Sequence, residues 1–150
     1  MKEGRIIPNA LFFAEMEEHF RQGRGVEMNH KGFSMRPFLK SGRDVILLKP
    51  IGVDNLHKGM VVLFRHRGMH TLHRYRGRLK DGRLRMVGDG NYRQEEIVLS
   101  DDVVAYVAEV KRGGCRLRYG SLCWRLMSAW SLIVKCLRTV AIDVKRKIKG

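Results

Sequence analysis

From Val26 to about Leu117 the chain is cut into short β-like runs by turn-forming residues, and this spacing most constrains the fold. The spacing predicts strands at Val26–His30, Asp44–Leu48, Met60–His66, His70–Arg76, Leu84–Val87 and Val103–Val110. Arg67-Gly68 and Asp81-Gly82 fall where hairpins would turn. Strands this close together leave no room for crossover helices. They argue for an antiparallel barrel or sandwich rather than a βαβ fold.

Two helical patterns flank this segment. Asn9 can cap a short helix that carries Phe12, Met16 and Phe20 at four-residue spacing and ends at Gly23 and Gly25. At the other end, Leu122, Leu126, Trp130, Ile133, Leu137, Val140, Val144 and Ile148 fall within about 80° of one helical face. Arg125, Lys135, Arg138 and Arg146 lie elsewhere on that wheel. The expected organisation is a β domain with its N-terminal helix over residues 1–118, then a basic amphipathic helix over residues 119–150. The regular apolar face is expected to seal against the sheet. Its alternatives are a second subunit or an anionic membrane surface, for which Trp124, Trp130 and the cations are suited.

Charge bears on partners. The chain has 30 Lys and Arg against 15 Asp and Glu, a formal net charge of +15. From Arg112 to Gly150 there are ten Lys or Arg and one acid, Asp143, so the excess is concentrated at the C-terminus. Aromatic residues make up 8% and do not interleave with the cations in any recognised binding motif, so specific nucleic-acid recognition is not expected. The three cysteines, Cys115, Cys123 and Cys136, have no metal-type spacing, which argues for free thiols in a reducing compartment. Glu15, Glu17 and Glu18 break the N-terminal apolar run, so no signal peptide is expected. The uncharged stretch Leu126–Val134 is nine residues, too short to span a bilayer. A cytoplasmic protein is the corresponding expectation, peripheral at the membrane in the alternative where the C-terminal helix meets lipid.

The stretch Gly32-Phe33-Ser34-Met35-Arg36-Pro37 follows a strand and enters a constrained turn. Pro37 fixes its own φ and biases Arg36 towards extended backbone, while Gly32 clears space for a substrate main chain. On these features alone Ser34 reads as a turn residue. With the following Gly42-Arg43-Asp44-Val45, however, the stretch resembles the nucleophile box of type I signal peptidases and LexA-like self-cleaving repressors. Leu72-His73-Arg74 resembles the base-bearing box of the signal peptidases that use His, and Val87-Gly88-Asp89-Gly90-Asn91 resembles their G-D-x-N box. The resemblance runs from about Val26 to Val110 with the three boxes in order.

It implies an antiparallel signal-peptidase/LexA-like β-barrel and a serine endopeptidase that needs no cofactor and acts on a polypeptide. Ser34 would be the nucleophile, His73 its base and Asp89 the carboxylate that orients the imidazole. Gly32, Ser34 and Met35 would frame the oxyanion and the substrate backbone. Lys58 and Lys80 remain alternative bases, and Gly88–Asn91 alternatively serves only as a tight turn. His66, His70 and His73 straddle a hairpin, so a metal site is not expected. The family's N-terminal transmembrane anchor and helix-turn-helix domain are not expected in this chain. The competing function is a non-catalytic, peptidase-like binding module that uses its basic surface on membrane lipid or nucleic acid.

Overall fold

A computed structural model describes residues 9–91 and 94–150. Helix α1 (Asn9–Arg21) precedes β1 (Val26–Asn29), β2 (Asp44–Pro50), β3 (Val61–His66), β4 (Met69–Arg78) and β5 (Leu84–Val87). Then come β6 (Glu95–Val98), β7 (Val103–Arg112), β8 (Cys115–Arg118) and the 28-residue helix α2 (Leu122–Lys149). The capping role read for the Asn9 side chain lies outside the described residues.

All pairings are antiparallel, in the order β1-β2-β7-β3-β4-β5-β6, with β8 on the far half of β7. Among the described residues β1 does not pair with β6, so the sheet is open at these two ends. Register shifts at Leu47/Leu48, Leu63/Phe64 and Tyr75/Gly77 mark irregularities of the kind that bend a sheet.

Six of the eight strands stand where alternation and turn residues placed them, with ends moved by up to two residues. The expected strand list lacked β6 and β8. Each has four residues and carries two charged side chains, so neither stands out as an apolar run.

The sheet has a core on each face. Val61 and Leu63 join Met16, Phe20, Phe38, Leu39, Ile46, Leu48, Val107 and Trp124 on one side. Val62 and Phe64 join Tyr75, Leu84, Met86 and Val98 on the other. Burial on both faces explains why β3 reads as an unbroken apolar run rather than an alternating one. Each large side chain so buried contributes about 1.5–3 kcal/mol relative to exposure.

The packing of α2 corrects the expectation for its apolar face. Leu122, Leu126, Trp130, Ile133, Leu137, Val140, Val144 and Ile148 are all exposed, between 48% and 77%. The face turned to the sheet carries Trp124, Ser128, Ser131 and Lys135. Trp124 is buried, with ring centroids 4.9 Å from Phe38 and 5.6 Å from Tyr119. Ser128 and Ser131 accept and donate hydrogen bonds within a buried ionic cluster described below. A polar stripe wins the interior because it meets buried charge there, and partners for such groups matter more than apolar contact. Among the described residues, no helix is long and apolar enough to cross a membrane.

Candidate active site

The loop between β1 and β2 carries Ser34 and is held at both ends. Asp44, at the start of β2, has a fully buried carboxylate. Burial alone would raise its pKa. Hydrogen bonds from Arg43 and Arg112, at 2.8–3.0 Å, and from the Lys40 N–H at 2.8 Å hold it instead at about 2. Arg112 Nη2 also donates to the Phe38 carbonyl at 2.8 Å, which ties the loop to β7. Met35, Phe38 and Leu39 anchor the loop in the first core. Gly32 has φ of +102°, a conformation that favours glycine, so its role includes backbone geometry.

Ser34 is half-buried, and its main chain rests on the Gly88–Asn91 turn. Gly90 N–H donates to the Ser34 carbonyl at 2.7 Å. A Cβ added at Gly88 would lie 2.6 Å from that same oxygen, and one at Gly90 would lie 2.7 Å from the Phe33 carbonyl. Both glycines are therefore required by close backbone approach. The Ser34 N–H has no protein acceptor among the described residues.

The same turn touches His73 from the other side. Asn91 Nδ2 lies 3.5 Å from His73 Nε2. His73 is 3% exposed, packs edge-on to Phe64 at 5.8 Å, and meets the Glu96 carboxylate through Nδ1. Strand register explains this contact. Tyr75, Met86 and Glu96 form one cross-strand row over β4, β5 and β6, and His73 shares the face of Tyr75 two residues away. Burial lowers the His73 pKa, Glu96 works against that shift, and the Lys135 cation reinforces it. The imidazole is consequently neutral at neutral pH. Glu96 favours the tautomer with the proton on Nδ1, so that Nε2 is the acceptor nitrogen facing Asn91 Nδ2.

The hydrogen bonds of Asp89 run to Arg74 and α2. Its carboxylate takes Arg74 Nε at 2.7 Å, Arg74 Nη2 at 2.5 Å and the Ser131 hydroxyl at 2.6 Å. Arg74, itself 1% exposed, also donates to the Gly59 carbonyl at 2.8 Å and to Ser128 at 3.2 Å. No hydrogen bond joins Asp89 to His73. The Asp89 carboxylate thus links the turn to Arg74 and α2, and the carboxylate in contact with the His73 ring is that of Glu96. Lys135 completes the cluster by donating to the Gly88 carbonyl at 2.9 Å.

The structure thus brings the three sequence boxes to one turn, although Ser34 Oγ and His73 are not hydrogen-bonded to each other. His70 and His73 sit three residues apart on a strand and face opposite sides. His70 stacks on Phe13 at 4.0 Å and bonds Glu17 at 2.8 Å. Among the described residues no group of three His, Cys, Asp or Glu could hold a metal ion.

A groove of about 1350 Å³ runs past Ser34, walled by α1, β1 and the start of β4. Two strand edges face it. Among the described residues β1 pairs only with β2, and β5 pairs with β4 only from Arg74 onward, which leaves Met69–His73 bonded on one side there. Met28, Leu63 and Leu72 supply apolar floor, and the buried His30 lines the groove with neither ring nitrogen bonded among the described residues. Compared with protein-family models and with curated proteins, the chain matches none.

Proposed function

We propose that the chain is a serine endopeptidase of the signal-peptidase and LexA-like type, with the barrel of that superfamily as its framework. One observation carries the reading. The Gly88–Asn91 turn binds the Ser34 main chain on one side and adjoins His73 on the other, with Glu96 on the far nitrogen of the imidazole. In the proposed reaction Ser34 Oγ attacks the scissile carbonyl as its proton passes to His73 Nε2. The free Ser34 N–H stabilises the resulting oxyanion. His73 then protonates the leaving amine, and water, activated by the same imidazole, hydrolyses the acyl-enzyme. Glu96 holds the tautomer and balances the transient imidazolium charge. The substrate lies extended between the open edges of β1 and β4, taking main-chain hydrogen bonds from them.

The missing Ser34–His73 bond is what favours the alternative, a binding module that retains the groove without hydrolysis. In catalytic dyads this bond often tightens only when substrate binds, so its absence is compatible with either. Incubating the full chain with a degenerate peptide library and reading products by mass spectrometry separates the two. Cleavage that disappears in Ser34→Ala supports the peptidase. Peptides that bind both proteins equally and stay intact support the module.

A further inference from the structure

Helix α2 has two opposed faces, and among the described residues it is the polar one that packs on the sheet. The stripe of Trp124, Ser128, Ser131 and Lys135 packs on the sheet and the ionic cluster. The stripe from Leu122 to Ile148 lies about 170° away around the helix, given 100° per residue. Its eight large apolar side chains are solvent-exposed over a helix of about 42 Å. Apolar patches this long on a folded chain mark a surface that is normally covered.

The charges beside the stripe point to what covers it. The helix has seven Lys or Arg and a single acid, Asp143. Arg138 and Lys145 flank the stripe on one side, Arg125 and Lys147 on the other, each about 60–120° from its centre. Side chains at such angles reach past an apolar face into a layer of headgroups. A second copy of the helix would instead set these rows of like charge against each other along both rims. Trp130 stands within the exposed stripe, and an indole is suited to the boundary between headgroups and acyl chains.

We infer that α2 lies in the plane of an anionic lipid surface, with its apolar stripe in the bilayer interface and its polar stripe holding the folded domain. Because Lys135 and Ser131 fix α2 to the Gly88–Asn91 turn and Ser128 fixes it to Arg74, docking would orient the Ser34 groove relative to that surface. The inference rests on the exposed face and does not require the peptidase reading.

The test uses the full chain, natural and as Ser34→Ala, with vesicles of phosphatidylcholine alone or mixed with phosphatidylglycerol. Both proteins should co-sediment with the mixed vesicles, weakly with neutral ones, and progressively less as salt is raised. Brominated acyl chains should quench the Trp130 portion of the emission. Leu137→Glu should remove binding at least tenfold with unchanged thermal unfolding, since that side chain is exposed. Arg138→Gln and Lys145→Gln should each weaken binding by about fivefold. Failure to bind anionic vesicles would overturn the inference, as would Leu137→Glu binding like the natural chain. So would a dimer in sedimentation analysis that Leu137→Glu converts to monomer, which would assign the stripe to a second copy.

Discussion

His73 reaches Glu96 across two strand intervals, from β4 over β5 to β6, and the contact is made by Nδ1 rather than Nε2. That choice of nitrogen leaves Nε2 to face the Gly88–Asn91 turn, on which the Ser34 main chain rests. A carboxylate on one side and an acceptor nitrogen on the other is the arrangement a general base needs.

The pH dependence of cleavage follows from the charges around this ring. Burial lowers the His73 pKa, so kcat/KM should rise along an acid limb centred below the usual histidine value near 6.5 and be flat above it. Glu96 raises the pKa and Lys135 lowers it. Glu96→Gln should therefore move the limb to lower pH and reduce kcat, whereas Lys135→Met should move it to higher pH. Rate–pH profiles of the three proteins check the signs. Shifts in the same direction for both variants would remove His73 as the titrating base.

Asp89 and Glu96 should fail in different ways. Asp89→Asn weakens the partner of a buried Arg74, and breaking such a pair costs about 3–5 kcal/mol. Its expected outcome is a lower midpoint in denaturant unfolding, with any loss of activity following the loss of fold. Glu96→Gln should unfold close to the natural chain and lose turnover. Equal unfolding midpoints with activity lost only in Asp89→Asn would restore Asp89 as the catalytic carboxylate.

Gly90→Ala tests the contact between the serine loop and the turn. Its new Cβ would lie 2.7 Å from the Phe33 carbonyl and 3.3 Å from the Ser34 and Arg36 carbonyls, all main-chain atoms. The loop must move, so cleavage should fall by about 10²-fold or more, as small misplacements of reacting groups do. Thermal unfolding should drop by only a few degrees. Full activity in this variant would mean that Ser34 need not be held by the turn.

Acid stability should report Asp44. Its pKa of about 2 in the folded chain is below the unfolded value near 3.9. Its stabilisation of about 2–3 kcal/mol is thus fully present above the unfolded pKa and is lost as pH falls through 4 towards 2. Urea unfolding at pH 6 and pH 3 should differ less in Asp44→Asn than in the natural chain. An identical pH dependence in both would contradict the ion cluster around Asp44.

How much of this was legible in the residues depends on which interaction decides. Strands such as Leu84–Val87 and Val103–Arg112 declare themselves through β-branched and apolar runs between turns, because local pattern and burial agree there. Ser34, His73 and the Gly88–Asn91 turn were visible as boxes in order, and the structure gathers them at one place. Glu96 was not visible, since an acid on a four-residue strand has no local signature and its meeting with His73 depends on register across three strands. The orientation of α2 misled for a related reason. A helical wheel finds the apolar stripe, but buried Arg74, Asp89 and the Gly88 carbonyl select the stripe with Ser128, Ser131 and Lys135.

The central claim is that Ser34 is a nucleophile activated by His73. Intact-protein mass spectrometry after treatment with a fluorophosphonate probe tests it most directly, because the adduct forms only on an activated hydroxyl and needs no knowledge of the substrate. The account predicts one adduct, mapped to Ser34 by peptide sequencing, absent in Ser34→Ala and slowed by several orders of magnitude in His73→Ala. A natural chain that stays unlabelled while folded, or an adduct that persists in Ser34→Ala, would contradict it.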